Sequence, residues 1–301
     1  MRVLVTGGAG FIGSHVVELL LARGYEVAVL DNLSTGHHEW VAREAEFKEG
    51  DVCDLDLVRA MAAGCFGIFH LAAMSRVLPS LLGGPSACAF SAEQNILGTL
   101  NVLIAAAEAK AKKVVYSASS TYYGNLPAPH REDAPVGCHT PYAISKYAGE
   151  LYAMQFDRMY DLPCVALRYF QVYGPRQPIS GEYAMVTGIF LDQAKRGLPL
   201  TIHGDGEQRR DFVHGSDVAA ANLRAFESDV RGQVINVGTG VSHSIRELAD
   251  LISPNQTFTA SRAHDMRETR ADTAKCERLL NWLPAIGFEA GTRALMAKDA
   301  A

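Results

Sequence analysis

Several features that would assign a chain to a common class are missing from this sequence. No apolar run reaches membrane-spanning length, because Gly, Glu, Lys or Arg interrupts the longest ones, so no membrane segment is expected. The formal net charge is only -5 and no long basic run occurs, which argues against a nucleic-acid partner. The six cysteines lack CxxC spacing, which is typical of reduced thiols in a cytoplasmic protein and indicates neither a metal site nor a disulfide framework. No signal peptide is expected, since an apolar strand begins at Val3.

The order of apolar segments predicts the fold class. Hydrophobic residues make up 48% of the chain and charged residues 20%, which is typical of a soluble globular protein with a full core. Strands buried on both faces alternate with helical segments, and this predicts an α/β fold with a doubly wound parallel sheet. The expected strands are residues 3–5, 25–31, 45–52, 67–73, 112–119 and 164–170, and the clearest helices are Ser14–Ala22, Ala92–Ala109 and Tyr142–Tyr160.

The pattern changes after residue 170. The stretch GPRQPISGEY (174–183) is loop-like, and the segments beyond it are shorter and richer in turn residues. We therefore expect a first domain over residues 1–170 and a smaller C-terminal α/β domain over 171–301. Segments around 211–240 are expected to return to the first domain.

A glycine-rich turn follows the first strand. Gly7, Gly8, Gly10 and Gly13 spell both GxxGxxG and GxGxxG where the first helix begins. Glycines at this place let backbone N–H groups approach a phosphate, and the helix N-terminus favours its negative charge. Asp31, at the end of the second strand, can accept hydrogen bonds from a ribose and repel a 2′-phosphate. With no Arg close behind it, the pattern predicts NAD rather than NADP; a tight turn without a ligand is the plainer alternative.

A second constellation, TPYAISKYAGE, places Tyr142 and Lys146 four residues apart. On a helix, this spacing puts both side chains on one face. A nearby ammonium lowers the pKa of a phenol by roughly one to three units, so Tyr142 could remove a proton from a sugar hydroxyl. The serine cluster in YSASSTYYG (116–124) ends the fifth strand, where a hydroxyl could bond the reacting oxygen or simply cap a turn.

Together these motifs carry a family resemblance that covers nearly the whole chain. The sequence resembles the extended short-chain dehydrogenases/reductases and, within them, the nucleotide-sugar 4-epimerases typified by UDP-galactose 4-epimerase. The matching motifs are TGGAGFIGSH, DNLSTG, GDVCD, HLAA, NILGTLNVL, YSASSTYYG, PYAISK, LRYFQVYGPRQ, GDGEQRRDFVH and INVGTG, in the family's order. The resemblance implies a Rossmann NAD-binding domain, a nucleotide-sugar domain and a cytoplasmic isomerase.

The resemblance also assigns residues to the cofactor. Those expected at the pyrophosphate are Gly7, Gly10, Phe11, Ile12 and Gly13, with Asp31 and Asn32 at the adenosine ribose and Asp51 and Val52 at the adenine. Others expected at or near the cofactor are Leu71, Ala72, Ala73, Asn95, Ser117, Tyr142, Lys146 and Tyr169.

The remaining implied roles concern catalysis and the substrate. Ser119, Tyr142 and Lys146 correspond to the catalytic residues. The residues expected to bind the nucleotide sugar are Arg76, Ser119, Ser120, Gln171, Arg210, Arg262, Asp265 and Thr269. The implied reaction is oxidation at carbon 4 of a UDP-sugar to a 4-keto sugar, rotation of that sugar, and reduction on its other face.

Departures from the family pattern concern the reaction and the sugar. Relatives usually carry Asn where this chain has Gln171, and uronic-acid 4-epimerases tend to carry an Arg where this chain has Pro178. The 4,6-dehydratases place an acidic pair after the catalytic hydroxyl and the decarboxylases a Glu, whereas Ser120 and Thr121 follow Ser119 here. A reductase, a dehydratase, a uronic-acid 4-epimerase and a non-catalytic dinucleotide-binding regulator are the alternatives.

Two further expectations follow from the resemblance. Family members pair the helices that correspond to Ala92–Ala109 and Tyr142–Tyr160 into a dimer interface, so a homodimer is expected. Thr269 corresponds to a position that limits the size of the sugar substituent. Because threonine is small, N-acetylated sugars are expected to fit as well as plain hexoses.

Overall fold

The computed structural model describes residues 1–75, 80, 83–179, 184–261 and 266–299. Its centre is a seven-stranded sheet in which every neighbouring pair runs parallel. The strands in chain order are β1 (Arg2–Thr6), β2 (Glu26–Asp31), β3 (Glu46–Glu49), β4 (Gly67–His70), β5 (Val114–Ser119), β6 (Cys164–Tyr169), β7 (Gln171–Tyr173), β8 (Leu200–His203), β9 (Arg209–Arg210), β10 (Phe212–His214), β11 (Gln233–Val237), β12 (His243–Ser244), β13 (Gln256–Thr259) and β14 (Glu268–Thr269).

The order of strands in the main sheet determines where a ligand can bind. Across the sheet the order is β3, β2, β1, β4, β5, β6 and β11. The chain leaves β1 in one direction to build β2 and β3, and then returns to build β4 on the other side of β1. In parallel sheets, ligands bind beyond the carboxyl ends of the strands at such a reversal. The predicted doubly wound parallel sheet is confirmed.

Helices cover both faces of the main sheet. The helices are α1 (Phe11–Ala22), α2 (Leu55–Ala62), α3 (Gly84–Ala92), α4 (Gly98–Glu108), α5 (Pro141–Tyr160), α6 (Val186–Lys195), α7 (Gly215–Glu227), α8 (Ile245–Ile252), α9 (Ala274–Leu280) and α10 (Phe288–Asp299). On one face α1 and α7 pack on the sheet, with Val17 and Val218 in the same buried cluster. On the other face α2, α4 and α5 do so, and Val58, Leu103 and Ala153 share the second cluster. No helix of the described residues is long and apolar enough to cross a membrane.

The later part of the chain forms small sheets around a core of their own. β7 pairs with β10 and β8 with β13, both parallel, while β9 lies between antiparallel β12 and parallel β14. Tyr173, Phe190 and Ile202 belong to the third buried cluster. β11 pairs with β6 and so places a later segment at the edge of the main sheet. The division into domains at residue 171 stays our proposal.

Two predicted helices differ from the structure at informative places. The first helix begins at Phe11 rather than Ser14, because the N–H of Ser14 already bonds the carbonyl of Gly10. The helix expected over Ala92–Ala109 is divided: α3 ends at Ala92, a π-helical turn spans Glu93–Leu97, and α4 follows. π-Helical turns are frequent at functional sites, and this one carries the buried Asn95.

Candidate active site

A cleft of about 760 Å³ runs along the carboxyl ends of the central strands. It extends from the glycine-rich turn before α1 to residues of β7, β9 and β14. Predicted residues in its lining are Gly7, Gly10, Phe11, Ile12, Gly13, Asp31, Asn32, Val52, Leu71, Ala72, Ala73, Ser117, Ser119, Ser120, Tyr142, Lys146, Tyr169, Gln171, Arg210 and Thr269. The cleft therefore brings most of the predicted residues together.

The glycine-rich turn is shaped by close backbone packing. Gly7 has a φ of +73°, and a Cβ there would lie 2.6 Å from the backbone N of Ala72. A side chain on Gly13 would collide with the carbonyl of Gly7. The N–H of Gly10 bonds that same carbonyl at 3.1 Å. These glycines keep the start of α1 open to the cleft, as an anion site at a helix N-terminus requires.

Asp31 is held rigidly at the end of β2. Its Oδ2 accepts a hydrogen bond of 3.0 Å from the N–H of Ala9, and its Oδ1 accepts one of 2.9 Å from the N–H of Leu33. Burial raises the pKa of Asp31 above its ordinary value, and the two backbone donors oppose that change. The carboxylate thus lies at a fixed place in the lining, where a ribose could meet it.

Asp51 lies behind the cleft rather than in its lining. The Asn32 side chain donates to its Oδ2 at 2.8 Å, and Gln94 donates to both of its oxygens. Burial raises the pKa of Asp51, but these donors and the N–H of Cys53 more than offset the effect and leave the pKa lowered. Asp51 therefore fixes Asn32 and Gln94, and these two line the cleft.

Tyr142 and Lys146 lie in the first turns of α5. Thr140 caps this helix by accepting a hydrogen bond from the N–H of Ala143. Tyr142 is half-buried and lines the cleft, whereas Lys146 is 3% exposed. Burial lowers the pKa of Lys146 to about 7, with the Glu150 carboxylate opposing this effect. The predicted pair thus shares one face of α5, with a cation that loses its charge easily.

A buried polar network fixes the start of α5. The Asn95 amide donates to the carbonyl of Met74 at 3.0 Å and to Ser145 Oγ at 2.9 Å, and its oxygen accepts from the N–H of Met74 at 2.8 Å. Ser145 Oγ in turn donates to the carbonyl of Tyr142 at 3.0 Å. Asn95 is fully buried beneath the cleft and outside its lining, so it ties Tyr142 to Met74.

Ser119 ends β5 beside these residues. Its Oγ shares a hydrogen bond of 2.9 Å with Thr121 Oγ1 and accepts one of 3.2 Å from the N–H of Thr121. The hydroxyl therefore caps the following turn, and Ser119 is one of the residues that line the cleft. Among the described lining residues, Asp31 is the only carboxylate, and it lies at the end of β2.

The far end of the cleft is formed by the small sheets. Gln171 lies on β7, and its Nε2 donates to Met185 Sδ at 3.2 Å. Arg210 lies on β9, and its guanidinium donates to the carbonyl of Met266 at 2.7 Å. Thr269 on β14 is 6% exposed and is the register partner of Arg210. A cation, an amide and a small hydroxyl thus line the same end.

Three predicted residues cannot be placed, and several lining residues were not predicted. The predicted Arg76, Arg262 and Asp265 lie outside the described residues. Lining residues that the sequence interpretation missed include Met74, Gln94, Met185, Gln193, Thr201, His203 and Gln208. His203 and Gln208 flank the GDG turn (204–206), and that motif was the available signal. In the described part of the chain, no cluster of His, Cys, Asp or Glu could hold a metal ion.

Comparisons with known proteins agree with this geometry. The family model described as the NAD dependent epimerase/dehydratase family matches residues 3–238. The chain is 40% identical over 307 residues to a UDP-glucose 4-epimerase of Mycolicibacterium smegmatis, covering 97% of this chain and 96% of the relative. The solved Thermus thermophilus UDP-glucose 4-epimerase complex with NAD matches with a TM-score of 0.90 and 37% identity, over 100% and 99% of the two chains. A UDP-N-acetyl-alpha-D-glucosaminuronate decarboxylase of Bacillus cytotoxicus is 31% identical over 97% and 95%.

Proposed function

The chain belongs to the NAD-dependent epimerase/dehydratase family, and we propose that it interconverts two UDP-hexoses by inverting carbon 4. The predicted resemblance to nucleotide-sugar epimerases and the predicted NAD cofactor are both confirmed by the family match. The finer activity and the sugar are our proposal.

The glycine-rich turn fits the pyrophosphate of NAD. A Cβ at Gly7 would collide with the backbone of Ala72, which follows β4. Glycine therefore allows the turn to lie against the end of β4. The start of α1 then offers backbone N–H groups to the phosphates, and Asp31 offers its carboxylate to the ribose. NAD, when bound, accepts a hydride from carbon 4 of the sugar and gives it back.

The residues of α5 and β5 move and hold the proton of the reacting hydroxyl. Tyr142 takes this proton on its phenol oxygen and returns it after the sugar has turned. The Lys146 ammonium, which shares a helix face with Tyr142, lowers the pKa of the phenol when it is charged. Ser119 can donate its hydroxyl hydrogen to the same sugar oxygen, since this residue lines the cleft beside α5.

The acidic residues among the described lining residues decide between the candidate reactions. Elimination of water from a 4-keto sugar needs a general acid and base near the neighbouring carbons. The positions after Ser119 are Ser120 and Thr121, and the sole carboxylate among the described lining residues is Asp31, which belongs to the cofactor end. This supports an epimerase over a dehydratase. Pro178, in the lining where uronic-acid 4-epimerases tend to carry Arg, supports a neutral hexose.

One incubation distinguishes the candidate reactions. Purified protein without added NAD is mixed with UDP-glucose, UDP-galactose, UDP-N-acetylglucosamine or UDP-glucuronate, and the products are separated by chromatography. We expect each UDP-hexose to yield its 4-epimer. Release of carbon dioxide from UDP-glucuronate, a 4-keto-6-deoxy product, or a reaction that requires added NADPH would contradict the proposal and indicate a decarboxylase, a dehydratase or a reductase.

The outer face of α5 supports the proposed homodimer. Ile144 is 55% exposed and Leu151 52% exposed, and Phe90 and Leu97 of the neighbouring segment are 43% and 46% exposed. Large apolar side chains that cluster on a surface commonly mark an interface between proteins. Sedimentation of the purified protein tests the dimer, and a monomer at micromolar concentration would contradict it.

A further inference from the structure

Asp211 is a fully buried carboxylate between β9 and β10. Its Oδ1 accepts hydrogen bonds of 2.7 Å from both the N–H and the hydroxyl of Thr239. Its Oδ2 accepts bonds of 3.0 Å from the N–H groups of Gly240 and Ala271. Burial raises the pKa of Asp211, and these donors oppose that effect. Three N–H groups and the Thr239 hydroxyl, which also lies 3.0 Å from the carbonyl of Val241, thus surround the carboxylate.

The partners of Asp211 belong to segments that are distant in sequence. Thr239 and Gly240 follow β11, and Ala271 comes two residues after Thr269. The main-chain carbonyl of Asp211 also accepts a hydrogen bond of 2.9 Å from the N–H of Gln171. One residue thus connects the loop after β11, the end of β14 and the beginning of β7.

Packing leaves little freedom at this junction. A Cβ on Gly238 would lie 2.7 Å from Asp211 Oδ2 and 2.8 Å from the Cβ of Ala271. The backbone at Gly238 is therefore packed closely against both the Asp211 carboxylate and Ala271, which follows β14. A shift of Asp211 would move the chain on either side of it.

Three residues in the lining depend on this junction. Arg210 precedes Asp211 in the chain and is the register partner of Thr269 on β14, while Gln171 bonds the Asp211 carbonyl. Arg210, Thr269 and Gln171 all line the far end of the cleft, whereas Asp211 does not. The Asp211 carboxylate therefore affects the cleft only indirectly, through Arg210, Thr269 and Gln171.

We propose that Asp211 is a positioning residue that sets Gln171, Arg210 and Thr269 in register for the nucleotide sugar. This inference rests on the proposed function, because it assigns that end of the cleft to a UDP-sugar. It predicts that Asp211 governs how tightly the whole nucleotide sugar binds and leaves the proton transfer at Tyr142 almost unchanged. KM should therefore respond to its replacement and kcat should not.

The variant Asp211→Asn is the sharpest probe. Asparagine keeps the size of the side chain but has one acceptor oxygen, so its NH2 group would face either the N–H donors of Gly240 and Ala271 or the N–H and hydroxyl of Thr239. Asp217→Asn is a matched control, because Asp217 is also buried and accepts hydrogen bonds of 2.9 and 3.0 Å from the N–H groups of Ala285 and Ile286. Asp217 does not line the cleft.

The test measures binding, turnover and melting on the NAD-containing proteins. We expect both variants to melt several degrees below the parent. Only Asp211→Asn should raise the Kd for UDP-galactose in calorimetry, and the KM, by about tenfold or more, the effect of losing hydrogen bonds to a charged group. Its kcat should stay within about threefold. A Kd within twofold of the parent, with melting lowered as in Asp217→Asn, would overturn the inference.

A milder variant keeps the test decisive if Asp211→Asn does not fold. Thr239→Val removes the hydroxyl donor and retains the backbone donor and the shape. We expect a smaller rise in the Kd, about threefold, from the loss of one of the four hydrogen bonds to Asp211, and an unchanged Kd would count against the inference. Failure of the parent protein itself to bind UDP-galactose would instead contradict the proposed function on which the inference rests.

Discussion

The ammonium of Lys146 lies 4.4 Å from the centre of the Tyr116 ring. The hydroxyl of Tyr116 also donates a hydrogen bond of 2.9 Å to the main-chain carbonyl of Lys146. Burial lowers the pKa of Lys146 to about 7. A ring in this position attracts the cation and so offsets part of that effect. A side chain on Gly149 would collide with the Tyr116 hydroxyl, so this glycine permits the contact. The buried Tyr116 thus contacts both the ammonium and the main-chain carbonyl of Lys146, one helical turn after Tyr142.

The first prediction concerns the general base. Tyr142→Phe should lower kcat by about 10²- to 10⁴-fold, because it removes only the oxygen that accepts the proton. Bound NAD, measured by absorbance after denaturation, should match the parent. Tyr160→Phe, on an exposed residue of the same helix, is the control and should be fully active. Activity of Tyr142→Phe within a factor of two of the parent would exclude Tyr142 as the base.

The second prediction concerns the choice of dinucleotide. The Asp31 carboxylate is fixed by two backbone donors and cannot easily turn away. It should repel a 2′-phosphate and hold a free ribose hydroxyl. Nucleotide extracted from the purified protein and identified by mass spectrometry should be NAD or NADH. A preparation that contains mostly NADP(H) would show that Asp31 does not select the cofactor.

The third prediction concerns the size of the sugar. Thr269 is buried in the lining beside Arg210, where a larger side chain would project into the cleft. We expect the parent to accept UDP-N-acetyl sugars, and Thr269→Tyr to lose them selectively. Overpacking costs about 1–3 kcal/mol, which corresponds to roughly 5- to 150-fold in kcat/KM.

A tyrosine at an exposed position is the control for this third prediction. Thr257→Tyr, on the exposed β13, should leave both classes of sugar unaffected. If Thr269→Tyr slows UDP-galactose and its N-acetyl analogue equally, or neither, Thr269 does not limit the pocket, and Gln171 becomes the next residue to change.

The fourth prediction concerns acid sensitivity. The Nε2–H of His15 donates a hydrogen bond of 3.0 Å to the carbonyl of Pro175, and the Arg176 guanidinium donates one of 3.2 Å to its Nδ1. The carbonyl needs a donor and the guanidinium needs an acceptor, so His15 is neutral with its proton on Nε2 and a free lone pair on Nδ1. Burial, and then the charge of Arg176, lower the pKa of His15 from 6.5 to about 4.

The sign of the effect follows from the lowered pKa. The unfolded chain takes up this proton near pH 6.5 and the folded chain only near 4, so the contribution is complete above pH 6.5 and is lost as the pH falls through 4. Between pH 7 and pH 4.5 the free energy of unfolding should fall in both proteins, and the fall should be about 2 kcal/mol smaller for His15→Gln than for the parent. Urea unfolding at both pH values measures this, with His38→Gln, at an exposed histidine, as the control. Equal losses in parent and His15→Gln would contradict the assignment.

The parts of the fold that depend on local sequence were predictable. The glycine-rich turn, Asp31 and the Tyr142/Lys146 spacing are each contained in a short stretch, and the structure places all of them in one cleft. Apart from the mostly exposed edge strand β3, the main-sheet strands up to β6 follow from runs of apolar residues that are buried on both faces. Their hydrophobic pattern is strong enough to determine the element without knowledge of its neighbours.

The remainder depends on contacts between distant segments. The π-helical turn at Glu93–Leu97 carries Asn95, whose partners Met74 and Ser145 lie far away in the sequence. The contact of Lys146 with Tyr116 joins α5 to β5, and Asp211 bonds residues that follow β11 and β14. The small sheets include two-residue strands such as β9, which are too short to show periodicity.

The central claim is that carbon 4 of the sugar is oxidised and then reduced with the same hydrogen. The most direct measurement uses UDP-galactose carrying deuterium at carbon 4, incubated in ordinary water with the purified protein and no added NAD. Nuclear magnetic resonance of the product then reports the isotope at that carbon. The account predicts UDP-glucose that retains the deuterium at carbon 4, because Tyr142 exchanges only the hydroxyl proton. UDP-glucose with hydrogen from water at carbon 4, or no UDP-glucose at all, would contradict it.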